Sequence, residues 1–286
     1  MRDSLKASGD WRASVRAAAD SAWVEDRGAA GPYARASLLE WGSITKGLVG
    51  TTAYLTLDTN RRVADLLPEY PDAEYTVADL VHHTSGLRRL PTNMRGGLVR
   101  DPYRGTVGRP LSPEDVRPEG GAWGEYLYSN TGYALLGSIL DRVHGDWFGA
   151  VQEHVLVPAG ITTATVTPRA HDCIMPSLWF GRPLAPWQMA GSPYAASGGM
   201  WSTFEDLCRY ADWALAHDAG PERTVSWQRE GVTMWINGEV RASGAAIVSA
   251  GGIRAAAHAL AQVPNRSDQI ATALIARALA GAQPPG

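Results

Sequence analysis

Lysine is almost missing from this chain. Of its 26 Lys and Arg residues, only Lys6 and Lys46 are lysines. Arginine keeps its proton in a protein and lysine can lose it, so a lysine in such a chain marks a position where a deprotonatable amine is wanted. Cysteine is as scarce. Cys173 and Cys208 lie far apart in sequence, which predicts reduced, partly buried thiols and fits a cytoplasmic protein. No stretch approaches the ~20 apolar residues of a membrane span. Met1 to Lys6 have no apolar core behind them, so no signal peptide is expected. The net charge is −3 and the arginines form no basic run, which argues against nucleic acid and against a membrane surface as partners. No His/Cys/Asp cluster has the spacing of a metal site, and neither a metal nor a cofactor is expected. Phenylalanine is rare too, with three against eleven tryptophans. Several of those tryptophans are expected to line a cleft or an apolar interface.

What is present suits a globular enzyme-sized chain. There are 286 residues, 45% of them hydrophobic, enough for a large core in one domain or two interleaved ones. The central stretch is Gly42-Ser43-Ile44-Thr45-Lys46. It follows a strand-like run, residues 36–41, and opens a run with helical character from Ile44 to Leu57. One helical turn separates Ser43 from Lys46, which puts hydroxyl and amine on one face. A serine hydroxyl is a poor nucleophile until a base takes its proton, and a buried lysine can be that base. The helix start adds backbone N–H groups for an oxyanion. Taken alone, the pattern fits an N-cap serine followed by a solvated lysine equally well.

The rest of the chain reads as strands around a helical block. Residues 11–41 suggest short strands, or a short helix plus strands, with turn signals at Arg27-Gly28 and Gly31-Pro32. Tyr75 to His83 reads as a helix opened by Thr76 and Asp79 and closed by Gly86. Residues 91–122 form a long loop. A helix follows Tyr128-Ser129-Asn130, with Tyr133, Leu136, Leu140 and Val143 on one face and Gly145 past its end. Residues 168–197, including Trp179 and Trp187, are again loop. Ser202 or Thr203 caps a helix running to about His217. Strands are expected at 231–236, 245–248 and 256–263, with Asn237-Gly238 and Gly251-Gly252 in hairpin or bulge positions. A last helix spans 268–280. The expected architecture is α/β: an antiparallel sheet flanked by helices, with a helical subdomain. The expected division is 1–60 with 168–286 for the sheet domain and 61–167 for the helical subdomain.

Four motifs in order carry a resemblance. They are Ser43-Ile44-Thr45-Lys46, His83-Thr84-Ser85-Gly86-Leu87, Tyr128-Ser129-Asn130 and Gly198-Gly199 before Ser202-Thr203, with 85 residues from Ser43 to Tyr128. The order resembles the serine β-lactamase-related family, in particular its branch of class C β-lactamases and family VIII esterases. The resemblance implies that Ser43 forms an acyl-enzyme and that Lys46 holds or takes its proton. It implies that Tyr128 is a second proton shuttle, with its phenolate favoured by the ammonium, and that Asn130 orients Lys46 or a substrate amide. Which of Lys46 and Tyr128 is the general base stays open. The motifs at His83 and Gly198 are read as turn and packing elements.

The family's remaining element is a strand with a polar or cationic residue ahead of Gly. Its best match here is Trp235-Ile236-Asn237-Gly238. The N–H groups of Ser43 and Glu239 would then form the oxyanion hole, with Asn237 and Gly238 in support. Ile236 stands where a polar side chain is expected, which argues against recognition of a penicillin-type carboxylate. Trp235, Ile236 and Arg241 are the expected substrate-binding side chains, with Arg241 five residues on as a rival source of charge. The expected function is serine acyl transfer on a small-molecule ester or amide, foremost as an esterase of neutral substrates. A transacylase serving small-molecule biosynthesis is the alternative. A β-lactamase or a catalytically silent binding protein comes after those. The sequence leaves the oligomeric state open.

Overall fold

The computed structural model describes residues 10–27, 33, 37–91, 94, 100–177, 183–261 and 263–282. The expected turns at Gly28 and Gly31-Pro32, part of the 91–122 loop, and Trp179 lie outside the described residues.

Six strands form one antiparallel sheet. They are β1 (Asp10–Arg16), β2 (Val24–Arg27), β5 (Gln228–Glu230), β6 (Thr233–Val240), β7 (Ser243–Ala250) and β8 (Ile253–Leu260), in spatial order β2-β1-β8-β7-β6-β5. The N-terminal strand β1 pairs along the whole of β8, from Asp10 opposite Leu260 to Arg16 opposite Arg254. Both ends of the chain therefore complete one layer. Side chains alternate across a strand, and the alternation separates two cores. Trp11, Val248, Ile253 and Ala257 face the C-terminal helix α8 (Arg266–Ala282), where Ile270 and Leu274 meet them. Ile236, Ile247, Ala256 and Leu260 face the opposite way into the main core. With both faces covered, β8 is buried at every position and β7 at nearly all. That is why these strands read as runs of Ala and Ile without polar alternation. β5 was not foreseen; its three residues are exposed and carry no apolar signal.

The other helices pack on the main-core face. α1 (Thr45–Thr56) follows a 3-10 turn at Gly42–Ile44, and its residues Thr45 to Ala53 are all buried. α2 (Val63–Leu66) is a single turn. α3 (Val77–Val81) opens on the anticipated capping box, in which Thr76 and Asp79 satisfy each other's backbone N–H groups. α4 (Asn130–His144) is capped by the Ser129 hydroxyl and stopped by Gly145, which is left-handed at φ 84°. Its first two turns are buried all round, while Val143, expected on the core face, is exposed. α5 (Trp147–Val151) continues into a π turn. α6 (Ala195–Gly198) is one turn, and α7 (Phe204–Ala214) is capped by Thr203 and ends three residues before His217. A two-stranded pair, β3 (Leu39–Glu40) with β4 (Trp201–Ser202), ties the segment before Ser43 to the segment after Gly199. Among the described residues, no helix is long and apolar enough to cross a membrane.

Two local expectations fail. Asn237-Gly238 is not a turn: it lies inside β6, opposite Ala246 and Ala245, and the β6–β7 reversal uses Ala242 at φ 55°. After α3 the first left-handed residue is His83 at φ 60°, ahead of Gly86 at φ 72°. Tertiary contacts hold His83 there. Its ring Nδ1 accepts the Ser129 N–H at 3.1 Å, and its carbonyl accepts the Leu127 N–H at 2.7 Å.

Candidate active site

Three elements meet at Ser43. The 3-10 turn ahead of α1 carries it, the start of α4 brings Tyr128 and Asn130, and the edge of β6 lies alongside. Gly42 is left-handed at φ 52°, and a Cβ there would sit 3.0–3.2 Å from the backbone of Gly238 and Glu239. A Cβ on Gly238 would be 2.0 Å from the Trp41 carbonyl and 2.5 Å from the Ser43 nitrogen. Only a pair of glycines lets these two backbones touch. β5 pairs β6 no further than Trp235, so the half of β6 beside Ser43 has no partner strand on that edge among the described residues.

The Ser43 hydroxyl lies 3.0 Å from Lys46 Nζ and 2.6 Å from the Tyr128 hydroxyl. Lys46 is buried and also donates to the Ser197 carbonyl. Its ammonium would lie over the Tyr128 ring, 4.9 Å from the centroid. No carboxylate shares an ion pair with it among the described residues. Burial first, and the Arg89 guanidinium second, push its pKa well below the ordinary lysine value. That shift favours the neutral amine, the form that can accept the serine proton. Tyr128 moves the other way. Burial raises its pKa, against the smaller opposing effects of Ser43 and Arg89. The phenolate implied by the resemblance is thus disfavoured, because burial penalises its charge. His83 packs 4.6 Å from the Tyr128 ring, centroid to centroid. Burial takes its pKa down to about 3, so it stays neutral and braces the turn that carries Tyr128.

The other expected residues divide. Asn130 is buried beside the cleft and donates to the Tyr103 hydroxyl at 3.1 Å. Its carbonyl oxygen has no protein partner, and no bond to Lys46 forms. Ile236 is buried, with its side chain against Gly47, and lines the cavity on the Lys46 side of Ser43. Trp235 points to the other face of the sheet and packs with the α8 core. The Asn237 and Glu239 side chains share that face: Asn237 bonds Asp268, and Glu239 accepts the Asn265 N–H. Both residues still line the cavities beside Ser43. Arg241 sits at the β6–β7 turn and donates to the Ala185 carbonyl at 3.1 Å; it does not line either cavity at Ser43.

Two cavities flank Ser43. One, of ≈ 250 Å³, is lined by Lys46, Tyr126, Tyr128, Trp227 and Ile236. The other, of ≈ 380 Å³, is lined by Arg89, Tyr103, Asn130, Trp187 and Glu239. Sequence reasoning missed Arg89 and the Ser197 carbonyl. Arg89 stands two residues after the His83–Leu87 motif, and its place there was the one available signal. A backbone carbonyl leaves none. Among the described residues, no group of three or more His, Cys, Asp or Glu is placed to hold a metal ion.

A family model described as "Beta-lactamase" matches residues 13–274. Solved structures of similar fold include a class C β-lactamase from Rhodobacter sphaeroides. It has 18% identity, covers 95% of each chain and has a TM-score of 0.72. The D-alanine carboxypeptidase AmpC from Burkholderia cenocepacia has 16% identity, covers 98% of each chain and has a TM-score of 0.71. SurE is similar at 21% identity over 99% of this chain and 76% of that one, with a TM-score of 0.70. None of the curated protein sequences matches. The family match spans most of the chain, and the chain belongs to the β-lactamase family.

Proposed function

We propose that this member of the β-lactamase family is a serine acyl-transfer enzyme. It hydrolyses a small ester or amide that is uncharged where it meets Ile236. The observation that carries this reading is Ser43 Oγ within hydrogen-bonding distance of both Lys46 Nζ and Tyr128 Oη, with the amine's pKa lowered by burial.

The steps follow from that geometry. Lys46 Nζ takes the Ser43 proton as Oγ bonds to the substrate carbonyl carbon. The Ser43 and Glu239 N–H groups receive the oxyanion. The carbon–leaving group bond then breaks, and the proton returns from Lys46, through the Tyr128 hydroxyl, to the departing oxygen or nitrogen. Water attacks the acyl-Ser43 ester by the same route in reverse, and the acid is released. Lys46 and Tyr128 line only the Ile236-side cavity, so the leaving group and the incoming acceptor belong there and the acyl chain belongs on the Arg89 side.

One observation favours a second reading, transfer of the acyl group to an alcohol or amine. The acceptor cavity, which also holds polar groups such as Ser226 and Gln228, has Tyr126, Val225, Trp227 and Ile236 in its lining, apolar surface on which an organic acceptor can displace water. Hydrolysis of 4-nitrophenyl acetate, wild type against Ser43→Ala, tests the common step. Activity in wild type and its loss in the variant is the expected result; equal rates would contradict it. Added alcohols and amines then separate the two readings, since a transacylase diverts product from acid to new ester or amide at millimolar acceptor.

A further inference from the structure

We infer that Arg89 is the specificity residue of the acyl side, and that the acyl group transferred through Ser43 carries a carboxylate of its own. The inference rests on the acyl-transfer reading and names its substrate class: half-esters or half-amides of dicarboxylic acids.

Arg89 lines the same cavity as Ser43. Its guanidinium stands 5.3 Å from the centroid of the Tyr128 ring, which places it at the wall of the cleft. It is close enough to act electrostatically on Lys46, Tyr128 and Tyr103. Among the described residues it forms no ion pair, and its side chain makes no hydrogen bond. Most other arginines that face into the structure are matched. Arg12 pairs with Glu25 and Glu205, and Arg254 with Asp212. Glu239 lines the same cavity and its carboxylate feels the charge of Arg89, but the two form no ion pair among the described residues, and the carboxylate accepts the Asn265 N–H. A second donor shares the wall: the Trp187 indole N–H is buried with no acceptor. A buried indole N–H without a partner is costly. It and the solvent-exposed Arg89 guanidinium both line this cavity with no hydrogen-bond acceptor among the described residues, and a carboxylate is the group that fits them.

The position selects the class. The carboxylate must lie on the acyl side, since Arg89 lines that cavity and not the one holding Lys46 and Ile236. The sequence-level expectation of neutral substrates therefore holds for the leaving group alone. A penicillin-type carboxylate would have to sit on the opposite side, against Ile236. Arg89 is solvent-exposed at the cleft mouth, so the preference is of the order of tenfold, as charge-assisted bonds partly screened by water give.

The test compares the mono-4-nitrophenyl ester of adipic acid with its methyl ester, which removes the charge and adds one methyl group. A six-carbon chain avoids attack by the ester's own carboxylate. Wild type should show kcat/KM about tenfold higher for the acid, chiefly through KM, and the advantage should shrink as salt rises. In Arg89→Gln the ratio should fall to about one or below, and Arg89→Lys should restore part of it. Using the ratio cancels any effect the substitution has on both esters alike. A ratio near one in wild type, or an unchanged ratio in Arg89→Gln, overturns the assignment. Labelling of Ser43 with a neutral fluorophosphonate separates the two levels. Labelling with a flat ratio removes only the role of Arg89, whereas no labelling and no turnover of either ester removes the acyl-transfer reading as well.

Discussion

The two sides of Ser43 are built on opposite electrostatic plans. On the Lys46 side the titratable groups are buried and pushed toward their neutral forms: the lysine pKa is pushed down, the Tyr128 pKa up, and His83 down to about 3. With the wall of Ile236 they make a place that disfavours net charge. On the other side stands Arg89, charged and open to solvent, with Tyr103, Asn130 and Trp187 around it. The first side can do chemistry on any acyl group. The second decides which acyl group arrives. Arg89 also reaches across, since its charge is one cause of the low lysine pKa.

The largest expected effect breaks the neutral side. Lys46→Arg puts a permanent charge where a base is needed, so kcat/KM for a 4-nitrophenyl ester should fall roughly 10²-fold or more, nearly as far as in Lys46→Ala. The thermal melt should show both variants folded. Near-normal activity in the arginine variant would mean that position 46 supplies charge alone.

A smaller effect is expected from exchanging the character of the two sides. Wild type should prefer a neutral-leaving-group ester to nitrocefin, because a carboxylate against Ile236 has no donor to meet it. Ile236→His should move the kcat/KM ratio toward nitrocefin. Efficient nitrocefin hydrolysis by wild type, lost in Arg241→Ala, would instead make Arg241 a carboxylate anchor.

The smallest effect concerns pH. Catalysis needs neutral Lys46, so activity should fall as pH drops through the lowered lysine pKa. Removing the Arg89 charge relieves part of that depression. The acid limb of kcat/KM for the neutral ester should therefore move to higher pH in Arg89→Gln. A limb that does not move would show that burial alone sets the lysine.

The neutral side was legible in the sequence and the charged side was not. Ser43, Lys46 and Tyr128 sit in spaced motifs, and the rarity of lysine marked Lys46 before any coordinates. The strands, the capping box at Thr76 and Asp79 and the C-terminal helix were readable because period and capping are local. Asn237-Gly238 was misread as a turn. The dipeptide has turn chemistry, yet Gly238 is glycine because the Trp41 carbonyl leaves no room for a Cβ, a reason written in the tertiary packing. Trp235 was placed in the cleft by nearness in sequence to Ile236, although neighbours on a strand face opposite ways. Arg89 is one arginine among many, and its local pattern does not tell that it ends in a cavity beside Ser43 without an ion-pair partner among the described residues.

The central claim is that Ser43 becomes acylated with Lys46 as its base. The most direct measurement is intact-mass and peptide mapping after a slow ester or a fluorophosphonate, in wild type and Lys46→Arg. The account predicts a single adduct on Ser43 in wild type, formed roughly 10²-fold or more slowly in the variant. An adduct on another serine, such as Ser85 or Ser129, or an equal rate in the two proteins, would contradict it.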